Sequence, residues 1–257
     1  MAIYHYTKLE TLIEYILPTK SLKSNSFSNM NDPRESTPWS MGGINLPLEK
    51  LFPGYYSDKT HIDCQYKFGH MIKERFQIIC FSGAKQKGWN NEMMWSHYAD
   101  NQKGVCLEFD ENLLMVEAKK TFPNIDILLK EVNYVTNKKQ KPWIHWNNII
   151  SIEENINNYS SILSHQVVFH KSQFWEKEDE KRLLFLNYTG DLFLPYGQSL
   201  KAIHIGLDFP RDYFSAIEKL IEGTSVKLYT LIYERNKYIR WNLTRKEDNW
   251  YTSSDEN

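Results

Sequence analysis

Short apolar strands and amphipathic helical stretches follow one another along all 257 residues, with no Gly/Ser- or Pro-rich linker between them. Elements of both kinds, so closely interleaved, have to bury their apolar faces against one another. That predicts one α+β domain over residues 1–257 with inserted helices. Residues 2–6 read as a first strand, and Thr7-Lys8-Leu9-Glu10 has the form of a capping box. Leu9, Leu12, Ile13 and Ile16 then make one helical face that Pro18 is expected to stop. Strands are predicted at 77–81, 105–109, 128–135, 180–186 and 202–205. Helices are predicted at 65–76, at 90–98 with Asn90 as N-cap, after Asp110, and at 210–221. Ile149, Ile152, Ile156, Tyr159, Leu163 and Val167 recur at helical spacing, which predicts a long helix over about 147–172. Segments 226–233 and 238–243 read as a hairpin turning through Arg235-Asn236. Residues 36–64 hold Pro38, Gly42, Gly43, Pro47, Pro53 and Gly54 with little periodicity, a loop-rich insertion of the kind that lids a site.

Charge narrows the partners. With 31 Lys and Arg against 32 Asp and Glu, no global basic field draws the chain to nucleic acid or to an anionic membrane. Cys64, Cys80 and Cys106 are odd in number and lack C-x-x-C spacing, which argues against a disulfide framework or zinc ribbon and fits a reducing cytoplasm. No apolar run reaches membrane-spanning length, and the N-terminal residues do not read as a signal peptide. The expectation is a cytoplasmic protein with no membrane contact.

Three segments concentrate groups able to do chemistry. Tyr4-His5-Tyr6-Thr7 and Trp95-Ser96-His97-Tyr98 each set imidazole beside phenol or indole, a combination suited to a planar, sugar-bearing ligand. Such clusters also serve as plain core. The third runs from Lys171 to Arg182. If it is extended, Glu176, Glu178, Glu180 and Arg182 share one face, and the arginine keeps neighbouring carboxylates ionised. A carboxylate of this kind near a ribose stabilises an oxocarbenium-like transition state; a solvated charge run is the competing reading. Asn31, Asp32 and Glu35 could hold a ligand hydroxyl or a metal, although an N-D-P turn is common as pure structure. Lys138, Lys139 and Lys141 beside Trp143, His145 and Trp146 make a candidate local contact with single-stranded nucleic acid, against the alternative of an exposed loop with buried tryptophans. Glu108, on a mainly apolar strand, is a reserve carboxylate. Walker A, G-x-G-x-x-G, G-x-S-x-G and metal-ligand spacings are not found, so no metal site is expected.

In order along residues 3–206, the chain carries Y-H-Y-T (4–7), N-D-P-R-E (31–35), C-F-S (80–82), M-W-S-H-Y-A (94–99), K-G-V-C-L-E-F (103–109) and W-E-K-E-D-E-K-R (175–182). This series resembles a large bacterial family of domain-of-unknown-function proteins. More distantly, His5, Thr7, Leu12, Ile16-Leu17 and Ser21-Leu22 resemble the opening of the ADP-ribosyltransferase superfamily, with Tyr6 where a small glycine is usual. That resemblance implies a mixed, split sheet and NAD as the substrate, in a toxin or phage-defence setting; a nucleic-acid- or partner-binding module without catalysis is the alternative. It implies that His5 holds a ribose, Ser82 or Tyr98 lines the nicotinamide pocket, and Glu178 or Glu180 contacts the ribose hydroxyl, with Arg182 orienting that carboxylate. Tyr6, Thr7, Asn31, Asp32, Trp95, Ser96 and His97 complete the expected NAD-binding set. The protein or nucleic-acid acceptor and the oligomeric state stay open. His5, Ser82, His97, Tyr98, Glu178 and Arg182 are expected to converge on one cleft.

Overall fold

The computed structural model describes residues 1–37, 39, 43–44, 47–52, 61–85, 88–136, 144–246 and 249–254. Ten strands form one mixed sheet: β1 (Ala2–Thr7), β2 (Asn25–Ser26), β3 (Phe76–Ser82), β4 (Val105–Asp110), β5 (Asp126–Glu131), β6 (Glu180–Leu186), β7 (Leu200–Ile205), β8 (Lys227–Glu234), β9 (Lys237–Lys246) and β10 (Asn249–Ser254). Their order is β10-β9-β8-β7-β4-β1-β3-β6-β5, with β2 pairing β3 off this path. Only β7 and β8 run parallel among these pairs, joined through the helix Phe214–Ile221. The hairpin of β8 and β9 turns as expected, with Arg235 and Asn236 both left-handed at φ 52 and 60.

One junction differs from the rest. β1 pairs β4 along its full length, from Ala2↔Asp110 to Thr7↔Val105, and β3 pairs β6 from Phe76↔Leu186 to Ser82↔Glu180. Between β1 and β3 the register holds a single pair, Tyr4↔Ser82. The sheet is one continuous mixed sheet that is parted at this junction.

Alternation along the strands sorts the side chains into one core on one face and two on the other. Ile3, Ile79, Phe81, Leu107, Phe109, Leu183 and Phe185 face the largest core, covered by the helices Glu111–Thr121 and Phe214–Ile221 and by the first helix. On the opposite face Phe76, Ile78, Leu184 and Leu186 pack under the helices His61–Lys73 and Ile152–Leu163. Tyr4, Tyr6 and Cys106 pack separately with Trp89, Met94 and Trp95, beside the helix Glu92–Tyr98. The parted junction lies between these two smaller cores.

Local details correct several expectations. No capping box forms at Thr7: Lys8 is the N-cap and makes no side-chain cap bond. The helix also passes Pro18, ending at Thr19, because residues 12–16 wind as a π-turn; a missing N–H is tolerated where the i→i−4 ladder is already interrupted. Asn91, not Asn90, caps Glu92–Tyr98, its Oδ1 accepting from the Met94 N–H at 3.3 Å. The long helix is Ile152–Leu163 followed by a π-turn to Val168, opened by a true capping box of Ser151 and Glu154. Ile149 precedes that cap and is therefore exposed rather than on the buried face.

Candidate functional site

The parted strands enclose a cleft of about 240 Å³, walled by His5, Tyr6, Cys80, Ser82 and Tyr98, with Lys171, Glu178 and Glu180 at its polar end. Lys23, Asn25, Asn29 and Asn31 form its rim. His5 turns into the gap, and its Nδ1 lies 2.9 Å from the Cys80 carbonyl oxygen. A carbonyl only accepts, so Nδ1 carries the proton and Nε2 is left as an acceptor. Burial lowers the imidazole pKa, opposed by the bond to Cys80, and so favours this neutral form.

Glu178 is positioned by a corner and not by a strand. Residues Gln173–Glu178 wind as a 3-10 turn, Asp179 takes the left-handed φ of 47, and β6 begins at Glu180. The expected shared face of Glu176, Glu178, Glu180 and Arg182 therefore reduces to Glu180 and Arg182; Glu176 points to solvent. The Ser82 hydroxyl donates to the Glu178 carbonyl at 2.8 Å, the Gly83 N–H to the Asp179 carbonyl at 2.6 Å, and Asn91 Nδ2 to the Lys177 carbonyl at 2.6 Å. Glycine at position 83 suits this approach, since a Cβ there would lie 2.7 Å from Asp179 Oδ2 and 3.2 Å from its carbonyl oxygen, and Asp179 would have to shift.

A closed polar ring follows from that corner. Tyr98 Oη donates to Glu178 Oε1 at 2.6 Å and receives Asn31 Nδ2 at 3.1 Å. Lys171 Nζ bridges Glu178 Oε2 at 2.5 Å and Glu180 Oε2 at 3.0 Å, over the face of Trp175. Arg182 grips Glu180 through Nε at 2.8 Å and Nη2 at 3.1 Å, and Nη2 also lies 2.8 Å from Glu35 Oε1. Asn31 and Glu35 belong to one short segment, so that segment closes the ring at both ends. Asp32 between them accepts the Ser172 N–H at 3.2 Å. All the charged members are almost fully buried: Glu178 is 2% exposed, Lys171 4% and Arg182 0%.

The ring tunes its own charges. Burial would raise the Glu180 carboxyl, but Arg182 and then Lys171 outweigh it and pull it down to about 2. Burial would likewise lower Lys171, yet Glu180 and Glu178 hold it above its ordinary range. Tyr98 is raised by burial and by the Glu178 charge, so its hydroxyl keeps its proton and serves as a donor. Glu35 is pushed up to about 7 by burial, with Arg182 opposing and Glu180 reinforcing.

Of the residues singled out in the sequence, His5, Tyr6, Asn31, Ser82, Tyr98, Glu178 and Glu180 line the cleft. Arg182 does not; it lies behind Glu180 and acts on the cleft only through it. His97 and Ser96 are exposed, because the phase that turns Met94, Trp95 and Tyr98 inward turns the two residues between them outward. Trp95 is core: its Nε1 donates to the Trp89 carbonyl at 2.8 Å and its ring meets Tyr6 edge-on. Thr7 is buried and Asp32 is a structural acceptor, both outside the cleft wall. Glu108 sits apart, 3.0 Å from His204 Nε2. Lys138, Lys139 and Trp143 fall outside the described residues. Trp146 is buried against Phe68 and so offers no stacking platform. Sequence reasoning missed Lys171, the cation that joins the two carboxylates, and offered Glu35 as a ligand-binding group but not as the partner of Arg182. A lysine three residues before the apolar Phe174-Trp175 pair is the only local signal for the first.

Comparison with known proteins adds one finding. Residues 94–183 match the family described as Protein of unknown function (DUF2971). The DUF2971 match contains Tyr98, Lys171, Glu178, Glu180 and Arg182, the greater part of the ring, and supports a domain-of-unknown-function family for this stretch. His5, Asn31, Glu35 and Ser82 lie before it in the chain. No curated protein and no solved structure matches. Among the described residues no helix is long and apolar enough to cross a membrane.

Proposed function

We propose that this cleft binds the nicotinamide-ribosyl end of NAD and transfers ADP-ribose to a protein or nucleic-acid acceptor. The observation that carries the reading is Glu178, a buried carboxylate held between Tyr98 and Lys171 in the same cleft as His5. The cleft is smaller than the roughly 300–1,000 Å³ of pockets that enclose a whole ligand, so only one end of a dinucleotide enters it. The remainder of the dinucleotide passes over the polar rim of Lys23, Asn25 and Asn29.

In this reading His5 Nε2 accepts from a ribose hydroxyl, and Tyr6 and Tyr98 supply ring surface for the planar base. The bond between C1′ and the ring nitrogen breaks heterolytically. Its electron pair goes to that nitrogen, releasing neutral nicotinamide and leaving positive charge on the ribosyl carbon. Glu178 faces this developing charge, while Lys171 and Tyr98 fix the carboxylate so that it does not reorganise during the step. The acceptor adds to C1′ and gives up its proton. Glu180 is a positioning residue that holds Lys171, and Arg182 in turn holds Glu180.

The test is incubation with NAD labelled in the ADP-ribose, together with candidate acceptors, reading label transfer and free nicotinamide. Glu178→Gln preserves size while removing charge. A stabilising group of this kind contributes about 3–4 kcal/mol, so the rate should fall by roughly two to three decades. NAD binding should change much less, because the contact strengthens mainly in the transition state. No transfer, no nicotinamide release and no NAD-dependent thermal shift in the unaltered protein would together remove the proposal.

A further inference from the structure

Building on the NAD reading, we infer that Glu35 makes the cleft selective for a positively charged ligand, because among the described residues the buried ring holds one more carboxylate than it has cations to match. Glu35, Glu178 and Glu180 stand against Lys171 and Arg182. Adding the nearby buried Asp32 and Lys73 leaves the same excess of one negative charge among the described residues.

The excess rests on Glu35 for geometric reasons. Among the described residues Arg182 is the one cation within ion-pair distance of its carboxylate, with Nη2 2.8 Å from Oε1. That guanidinium is already committed to Glu180 and to the Val168 carbonyl. The groups facing Glu35 are Arg182 and Glu180 from β6 and Lys171 from the strand His170–Ser172. Lys73, from the helix His61–Lys73, bonds the main-chain carbonyl of Glu35, and Asp32 precedes it on its own turn. None of these supplies the missing counter-charge.

An uncompensated charge in a buried site is costly, and either a proton or a cation relieves it. Where no cation is bound a proton serves, in keeping with the Glu35 carboxyl being pushed up to about 7. A cation seated beside Glu178 and Glu180 makes that proton unnecessary, so its entry releases one proton from Glu35 and leaves the net charge unchanged. A neutral ligand gains nothing from the exchange. The reactive form of NAD carries its charge on the nicotinamide ring, which is the end placed in this cleft. Glu35 thus determines specificity through Arg182 and Glu180 without touching the ligand.

Calorimetric titration with 1-methylnicotinamide and with nicotinamide separates charge from shape, since the two share ring and carboxamide. Below the titration point of Glu35, linkage of one proton makes the cation bind about tenfold tighter per pH unit, or roughly tenfold in all between pH 6 and pH 8. Repeating each titration in two buffers of different ionisation enthalpy reads proton release directly and needs no variant. Release is expected with the cation and not with nicotinamide, and Glu35→Gln should abolish it and flatten the pH dependence. Equal linkage for both compounds, linkage that survives Glu35→Gln, or no binding of the cation at any pH would overturn the inference. If NAD itself neither binds nor reacts while the cation shows the linkage, the transferase reading falls and the charge preference stands.

Discussion

Replacing Lys171 by methionine removes one atom that holds two buried carboxylates. The thioether keeps the unbranched apolar stem of the lysine as far as Cε and omits the ammonium, so the change is chiefly one of charge. Nζ lies 2.5 Å from Glu178 and 3.0 Å from Glu180, with its side chain 4% exposed. Breaking a buried pair by deleting one partner typically costs about 3–5 kcal/mol, because the charge left behind is neither solvated nor paired. A domain has about 5–15 kcal/mol in all, so the variant should unfold at markedly lower denaturant. The deficit should also depend on pH. In the unaltered protein Glu180 titrates near 2, below the unfolded carboxyl, so its stabilisation is present above about pH 4.5 and fades as pH falls toward 2. Lys171 is one of the charges that hold Glu180 down, so in Lys171→Met part of that stabilisation is already lost and the deficit narrows as the solution is acidified. Urea unfolding followed by tryptophan fluorescence at pH 7.5 and pH 5 measures both effects. A loss under about 1 kcal/mol at pH 7.5, or a loss unchanged at pH 5, would refute the ring as the organising contact.

Two other substitutions probe how the ring is positioned. Gly83→Ala should destabilise by about 1–3 kcal/mol and lower any activity, since its Cβ presses on Asp179 next to Glu178; an unaltered urea midpoint would contradict the close approach. Ser96→Ala with His97→Ala should leave stability within about 0.5 kcal/mol and leave ligand affinity unchanged, because both side chains face solvent, and a thermal-shift titration checks each.

How much of this was legible in the sequence depends on range. β1, β3, β4, β6 and β7 fall where apolar runs such as Gln77-Ile78-Ile79-Cys80-Phe81 and Leu183-Leu184-Phe185-Leu186 place them, since burial on both faces imposes such runs locally. Helix ends were less legible. Thr7 matches the capping pattern, yet it stays inside β1 paired with Val105, and sheet pairing overrides the local cap. The site mixes both cases. Tyr98 and His97 are indistinguishable by composition, and only the helical phase fixed by buried Met94 and Trp95 turns Tyr98 toward Glu178. Lys171, Glu35 and Asn31 meet across as many as 140 residues of sequence, as the Asp32–Ser172 bond beside them does, and no periodicity encodes such a meeting. Glu178 was found as part of a charge run, although for the wrong local reason, since it leaves a 3-10 turn and does not lie on a strand.

The parted junction explains why a charged ring survives inside the fold. Were β1 and β3 paired throughout, the core under Phe76 and Ile78 and the core around Tyr4 and Trp95 would meet, and Glu178 and Glu180 would be pressed into an apolar interior. Parting the strands leaves a seam between those cores, and the His5 imidazole answers the Cys80 carbonyl across it in place of a main-chain donor. Apolar walls on either side keep the local dielectric low, which strengthens each ion pair in the seam and equally the attraction of Glu178 for positive charge entering it. A carboxylate is useful there only if it stays ionised, and in so dry a place that requires cations within contact distance. Lys171 and Arg182 meet the need for Glu178 and Glu180. Glu35, facing an arginine already engaged elsewhere, is the one carboxylate left to respond when a further charge arrives.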